Sequence, residues 1–288
     1  MQIINENNTL KVEIEHFNPV HTFLCGQCFR WNEDGGGLWS GIVSGKRLRL
    51  SWNNGICTFY DMTEQEFFEV VMPYLDFDTD YGRIKEELSD MDEHLKSAVS
   101  FGSGLRLLRQ DLWEVLLSFL ISQNNGVPRI KQIVESLSIH FGKPIPGENG
   151  CYEFPEPSAL ADAPVEDINI CRGGYRCRYI SGVAKRIQQT PSLLTDLTRL
   201  PKESARELLL SFQGIGKKVA DCILLYSGID RSVFPVDRWI KRVMEALYFK
   251  RETDESTIRE FAQEYFGDLA GIAQQYLFYY ARENKIGL

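Results

Sequence analysis

Along the first 60 residues, apolar and polar positions alternate in short runs. Trp39 to Val43, Arg47 to Trp52 and Ile56 to Tyr60 are separated by Ser44-Gly45-Lys46 and Asn53-Asn54-Gly55. The middle run alternates strictly (Arg47, Leu48, Arg49, Leu50, Ser51, Trp52), and the Asn-Gly pair that follows is a hairpin signal, so antiparallel β structure is expected. From Leu105 onward the spacing is helical. Asp111 is placed to cap a helix whose Leu112, Val115, Leu116, Phe119 and Leu120 share one face. That helix must stop near Asn124-Asn125-Gly126, ahead of Pro128, and another runs from about Pro128 to His140. A Pro/Gly-rich connection from Gly142 to Pro157 precedes further helices. The pattern predicts an α+β chain with no internal repeat. An N-terminal antiparallel β domain with an acidic helical segment covers residues 1–104, and a mostly α-helical domain covers 105–288.

Composition narrows the class. At 288 residues, 43% hydrophobic and 25% charged, the chain buries a core and is neither disordered, collagen-like nor a coiled-coil rod. No apolar run approaches the ~18 residues of a membrane span. Met1 to Leu10 is polar and lacks a signal-peptide core, so a cytoplasmic protein is expected, nucleoid-associated if bacterial. The seven cysteines are an odd number and suggest thiols rather than a disulfide framework, and the four histidines show no metal spacing. The net charge of −8 argues at first against a nucleic-acid partner. It is unevenly spread. Between Asp61 and Glu93 twelve acids face only Arg83 and Lys85, a net of −10 that leaves the rest at +2. Those acids are expected on a solvated helix surface. Arg172 to Arg186 holds five bases and no acid, and Lys217 to Arg242 holds six bases against Asp221, Asp230 and Asp237.

The most informative stretch runs from Leu208 to Cys222. An apolar helix ends, Gly214-Ile215-Gly216 makes a tight turn, and a second helix starts at once with Lys217 and Lys218. Ile215 can plug the gap between the helices, while the first amides of the second helix face a phosphate without needing net positive charge. The stretch resembles the helix-hairpin-helix motif of DNA repair proteins. Nineteen residues after Lys218, Phe234-Pro235-Val236 leads to Asp237. Standing alone, Lys218 reads as a solvated helix-start lysine and Asp237 as a helix N-cap. They do not stand alone. Gly26 to Trp31, Leu105 to Asp111, Ser122 to Asn125, Gly174 to Tyr179 and Ala270 to Gln274, together with the hairpin, resemble segments of the 8-oxoguanine DNA glycosylase/lyase family in that family's order.

The resemblance implies roles. Lys218 is the nucleophile that attacks C1′ of the damaged nucleotide and leaves a Schiff base, permitting strand cleavage by β-elimination. Asp237 stabilises the developing oxocarbenium charge. The flipped base lies in a pocket made by Gly26, Cys222, Pro235, Gln274 and Phe278, with the Gly26 carbonyl accepting the N7–H that distinguishes 8-oxoguanine from guanine. Asn124, Arg129 and Arg176 read the estranged cytosine, and Tyr175 wedges into the duplex. Gly214, Gly216 and Lys217 hold the DNA backbone. The carbonyls of Leu210, Phe212 and Ile215 are a candidate ion site, as in relatives, although the chemistry needs no metal or other cofactor. The expected partner is double-stranded DNA containing 8-oxoguanine, bound by a monomer with few phosphate contacts.

Taken singly, Cys222 and Phe278 are core residues and Gly26 a turn glycine. The chain departs from the family's animal members at Gly126 and Trp239, where an asparagine and a histidine are usual. Cys25-Gly-Gln-Cys28 has redox spacing but lies inside a glycosylase-like segment. Two other readings stay open: a monofunctional glycosylase for alkylated bases, against which Lys218 argues, and a non-catalytic helix-hairpin-helix DNA-binding module.

Overall fold

A computed structural model describes residues 3–6 and 8–287. Six strands, β1 (Ile3–Glu6), β2 (Thr9–Glu13), β3 (Trp31–Gly35), β4 (Leu38–Val43), β5 (Lys46–Asn53) and β6 (Ile56–Tyr60), form a sheet in the order β1-β2-β6-β5-β4-β3. A short helix, α1 (Pro19–Phe23), lies between β2 and β3. The longer helices are α2 (Tyr81–Met91), α3 (Glu93–Phe101), α4 (Leu112–Ser122), α5 (Val127–Phe141), α6 (Arg176–Gln189), α7 (Ser192–Arg199) and α8 (Lys202–Leu210). They are followed by α9 (Lys217–Tyr226), α10 (Arg238–Met244), α11 (Glu255–Phe266) and α12 (Ala270–Glu283). The alternating runs predicted as strands are β4, β5 and β6. Asp111 caps α4 by accepting the Glu114 amide, as its position implied. Among the described residues no helix is long and apolar enough to cross a membrane.

The chain forms two compact units, each discontinuous in sequence. The first comprises residues 1–27, 51–109 and 224–288. Its strands β1, β2 and β6 pair antiparallel, with Ile3 opposite Val12 and Leu10 opposite Phe59. Leu10, Val12, Cys57 and Phe59 point into the core while their neighbours alternate outward. The acids of this unit correct the expectation of a uniformly solvated surface. Asp80 and Asp92 cap α2 and α3 by accepting backbone amides. Asp76 is fully buried. Its carboxylate lies 2.6 Å from Arg109 and 2.8 Å from Arg231, and accepts the hydroxyls of Thr79 and Tyr81 at 2.8 and 3.0 Å. A carboxylate enters a core only when its charge and lone pairs are met in this way. The acidic segment is thus partly structural. Helix α12 runs through this core, buried from Ala270 to Leu277, with the Tyr276 hydroxyl on the Leu105 carbonyl at 3.0 Å.

The second unit comprises residues 28–50 and 110–223. Strands β3 and β4 form a hairpin in which Trp31 opposes Gly41, and a Cβ at Gly41 would lie 2.4 Å from the Trp31 ring. Helix α4 is apolar nearly all round and forms the centre of this unit, with Val115 to Ile121 all buried. Phe29 packs edge-on against Phe119, and the Trp113 indole donates to the Pro155 carbonyl at 2.8 Å. In the first turn of α4, burial pushes the Glu114 carboxyl up to about 7, against the pull of Arg30 3.8 Å away.

Candidate functional site

The hairpin is built from local hydrogen bonds. Helix α8 ends at Leu210, and the Ser211 hydroxyl turns back onto the Leu208 carbonyl. The Phe212 amide closes on Leu209, the Ile215 amide on Phe212, and the Ala220 amide on Gly216. The Phe212 carbonyl therefore already accepts one hydrogen bond, so a cation at this candidate ion site would take its second lone pair. Gly214 has φ +89°, and a Cβ there would lie 2.5 Å from the Tyr179 ring, so glycine is required twice over. Ile215 is buried as a plug, while Gly216 and Lys217 are exposed. The first amides of α9 have no partner within the helix and lie beside this exposed turn, an arrangement suited to a phosphate oxygen. Arg206 on α8 and Asp221 on α9 meet at 2.8 Å and tie the two helices together. Lys218 is half-buried in the first turn of α9, its ammonium 5.6 Å from the Phe119 ring centroid, with no ion pair among the described residues. Cys222 lies one turn further along and is buried.

The same unit brings the four opposite-strand candidates together. Asn124 takes a left-handed φ of +51° just beyond α4 and is exposed. Arg176, at the start of α6, is buried. It donates through Nε to the Gln123 carbonyl at 2.9 Å, again to that oxygen through a second nitrogen, and to the Gly173 carbonyl at 3.2 Å. Its guanidinium lies 4.4 Å from the Tyr175 ring centroid, and Tyr175 is half exposed. Arg129 donates to the Arg172 carbonyl at 2.9 Å. Arg176 is therefore clamped onto backbone rather than presented to solvent, and Tyr175 and Asn124 are the groups that project.

The remaining candidates belong to the first unit. Asp237 follows the buried Phe234-Pro235-Val236 segment and caps α10 by accepting the Ile240 amide at 2.7 Å. Helix α12 approaches this segment so closely that a Cβ at Gly271 would lie 2.6 Å from the Arg231 carbonyl and 3.0 Å from that of Val233. One turn on, Gln274 is 5% exposed. Its amide nitrogen reaches the Pro235 carbonyl at 3.4 Å, and its buried Oε1 has no hydrogen-bond partner. A buried acceptor without a partner costs free energy comparable to a lost hydrogen bond, which a bound donor would restore. Phe278, half-buried one turn further, lies 5.8 Å from the Arg282 guanidinium. Gly26 has φ +95° in a turn held on both flanks. The Cys25 carbonyl accepts from Gln275 at 3.2 Å. Gln27 donates to the carbonyls of Thr22 and Arg106 and accepts the Leu108 amide at 2.9 Å.

The chain is similar to known proteins over nearly its whole length. Residues 9–116 match the family profile of the 8-oxoguanine DNA glycosylase N-terminal domain, and residues 117–267 match that of the HhH-GPD superfamily of base excision DNA repair proteins. The chain belongs to the 8-oxoguanine DNA glycosylase family. A probable N-glycosylase/DNA lyase of Methanothermobacter thermautotrophicus is 31% identical over 217 residues, 68% of this chain and 69% of the relative. The solved structure of MBOgg1 in complex with a low-affinity DNA ligand is 41% identical, with TM-score 0.95 over 99% of both chains. That of the Clostridium acetobutylicum 8-oxoguanine glycosylase/lyase in complex with double-stranded DNA containing cytosine opposite 8-oxoguanine is 40% identical, with TM-score 0.94 over 99% of both.

Within this family frame the positioning residues are those the sequence reading did not single out. Gln123 donates to the Gly214 carbonyl at 3.0 Å while its own carbonyl holds Arg176. Gln275, bonded by the Tyr226 hydroxyl at 2.5 Å, orients the Gly26 turn, and Gly271 sets the depth of Gln274. Both cysteines of the Cys25-Gly-Gln-Cys28 spacing are buried, and burial pushes the Cys25 thiol up to about 11, the direction of an inert core thiol. Among the described residues no cluster of His, Cys, Asp or Glu could hold a metal.

Proposed function

We propose that this chain is a bifunctional DNA N-glycosylase and abasic-site lyase. It excises 8-oxoguanine opposite cytosine from a duplex, with the base flipped out of the stack. The observation that carries the substrate assignment is the buried, partnerless Oε1 of Gln274. A guanine-type base presents adjacent N1–H and N2–H donors on its pairing edge, whereas adenine sets one donor, N6–H, beside an acceptor at N1, so an unfilled acceptor suits the former better. The Gly26 carbonyl, in a turn that only glycine adopts comfortably, is the acceptor for N7–H of the oxidised base. Phe278 covers a face of the base, and Pro235 supports Gln274.

Lys218 is the nucleophile. Its nitrogen bonds to C1′ as the C1′–N9 bond breaks, and opening of the sugar ring gives a Schiff base. Loss of the 2′ proton then expels the 3′ phosphate by β-elimination. Asp237 is the carboxylate that meets the positive charge developing on the sugar. Gly214, Gly216 and Lys217 hold the phosphate of the lesion strand. Asn124, Arg129 and Arg176 serve the estranged cytosine, and Tyr175 fills the vacated stack. The enzyme acts as a monomer, in the cytoplasm or on the nucleoid, which light scattering and fractionation test.

Borohydride trapping on an 8-oxoguanine·cytosine duplex decides the central claim. A covalent adduct is expected with the native chain and none with Lys218→Gln. Absence of the first, or persistence of the second, defeats the lyase reading in favour of a monofunctional glycosylase. A chain that binds duplex but excises nothing is a DNA-binding module only.

A further inference from the structure

Cys171 and Cys177 bracket the turn that carries Tyr175 and Arg176, and neither takes part in the reaction proposed above. Both are buried beneath one turn of backbone. A Cβ at Gly173 would lie 2.9 Å from the Cys177 sulfur and 3.4 Å from the Cys171 sulfur, so both sulfurs lie against the same face of one glycine. The two thiols share a contact, and the Gly173 amide lies beside both. When protonated, Cys177 can donate to the Asn169 side chain at 3.6 Å. Cys177 is the second residue of α6, where backbone amides have no partner within the helix, and Arg176 precedes it. The Cys171 thiol foremost, then the Gly173 amide and the Arg176 guanidinium, draw the Cys177 thiol below the ordinary cysteine range against its burial, while the same thiol contact and burial push Cys171 up. One sulfur is thus poised as a thiolate nucleophile and the other as its protonated neighbour. The cover is thin: Arg172 holds a left-handed φ of +56° and Gly174 a φ of +62°, and both are exposed.

We propose that Cys171 and Cys177 form a peroxide-oxidisable dithiol, a modification site that fixes the position of the Tyr175–Arg176 turn. In the first step the Cys177 thiolate attacks a peroxide oxygen. An S–O bond forms, the O–O bond breaks, hydroxide leaves and takes up a proton as water, and sulfur is oxidised by two electrons. In the second, Cys171 attacks that sulfenic sulfur. An S–S bond forms, the S–O bond breaks, and hydroxide leaves with the Cys171 proton as water. The net change is two thiols and one peroxide to one disulfide and two waters.

The consequence follows from what the turn supports. Arg176 rests on the Gly173 carbonyl and Arg129 on the Arg172 carbonyl, and both carbonyls lie inside the loop that the disulfide closes. Drawing the sulfurs into a bond moves both rests. This regulatory half depends on Arg129, Tyr175 and Arg176 serving the opposite strand; the dithiol chemistry does not.

The test uses the reduced full-length chain, free of DNA, exposed to hydrogen peroxide, then blocked with N-ethylmaleimide and mapped by peptide mass spectrometry. A Cys171–Cys177 link is expected ahead of any involving the other five cysteines. Excision from the 8-oxoguanine·cytosine duplex should fall about tenfold, the low end of what losing one base-reading contact gives, and return on reduction with dithiothreitol. Cys171→Ser, with its melting temperature as the check on folding, should keep the reduced activity, form no link, and leave Cys177 as a sulfenic acid that dimedone captures. Wild-type Cys177 that stays alkylatable after peroxide overturns the dithiol. A linked chain that excises at the full rate overturns the regulatory half. A reduced chain without excision overturns the function proposed above, while the link map still judges the dithiol.

Discussion

Gly271→Ala tests how Gln274, the glutamine proposed to read the base, is held. The added Cβ would lie 2.4 Å from Leu225 Cδ1, 2.6 Å from the Arg231 carbonyl and 3.0 Å from the Val233 carbonyl. The leucine methyl can rotate away; the two carbonyls belong to backbone and cannot. Restoring ordinary contact moves α12 outward by about 0.8 Å, stretching the 2.9 Å bond from the Gly271 amide to the Arg231 carbonyl. Overpacking of this kind costs about 1–3 kcal/mol, and at about 2–4 °C per kcal/mol for a chain of this size the melting temperature drops by roughly 2–12 °C. The same shift carries Gln274 away from Pro235, where its contact already stands at 3.4 Å. Single-turnover excision of 8-oxoguanine should therefore fall roughly 10- to 100-fold, as expected for loss of one buried polar contact to the base. Borohydride trapping on a preformed abasic site, which has no base to read, should be unchanged. A melting temperature and excision rate both equal to the native values would refute the packing argument. An equal loss on the abasic duplex would refute the assignment of the defect to base reading.

Three further outcomes follow from the same geometry. Asp237→Asn keeps an N-cap acceptor for the Ile240 amide and should melt within about 1 °C of the native chain while base excision is lost; Asp237→Ala should lose excision and about 1 kcal/mol of stability as well, read by thermal melts. Glu114 has a folded carboxyl raised to about 7 from an ordinary 4.5, so the folded state holds its proton more tightly than the unfolded chain. Its contribution is fully present below about pH 4.5 and is lost as pH rises to about 7, and urea unfolding at pH 5 and pH 8 should show a smaller loss in Glu114→Gln. If the hairpin binds phosphate mainly through neutral amides, the logarithm of duplex affinity should fall against the logarithm of salt with a slope of only about −2 to −4, and a slope near that of a strongly basic repressor would contradict it.

Much of the fold was legible in the sequence, for physical reasons that also mark where legibility stopped. Strands β5 and β6 announce themselves because one face of each is apolar at the period of its own backbone, and helix α4 because an apolar run of helical length lies between the capping Asp111 and the Asn124-Asn125-Gly126 break. Strand β3 does not: only Trp31 is buried and the next four residues are exposed, so its pairing with β4, not its pattern, makes it a strand. Asp76 was read with the solvated acids because its partners, Arg109 and Arg231, lie 33 and 155 residues away. The positions proposed to carry the chemistry stand in the motifs around the hairpin, at Asp237 and in α12. The residues that hold them were not legible. Gln27 bonds to the Leu108 amide 81 residues away and Gln275 to Cys25 across 250, and nothing local distinguishes such glutamines from exposed ones.

Gln123 has one such consequence, for how sequences of this kind can drift. Its side chain fixes the Gly214 carbonyl in the lysine-bearing hairpin and its main chain fixes Arg176 in the wedge turn. A substitution at position 123 therefore disturbs both places at once. A relative that changes the opposite-strand turn must either retain this residue or alter the hairpin in step, so positions 123, 176 and 214 are expected to vary as a set. With the roles proposed above, preference for the estranged base and placement of the nucleophile then become one inherited trait.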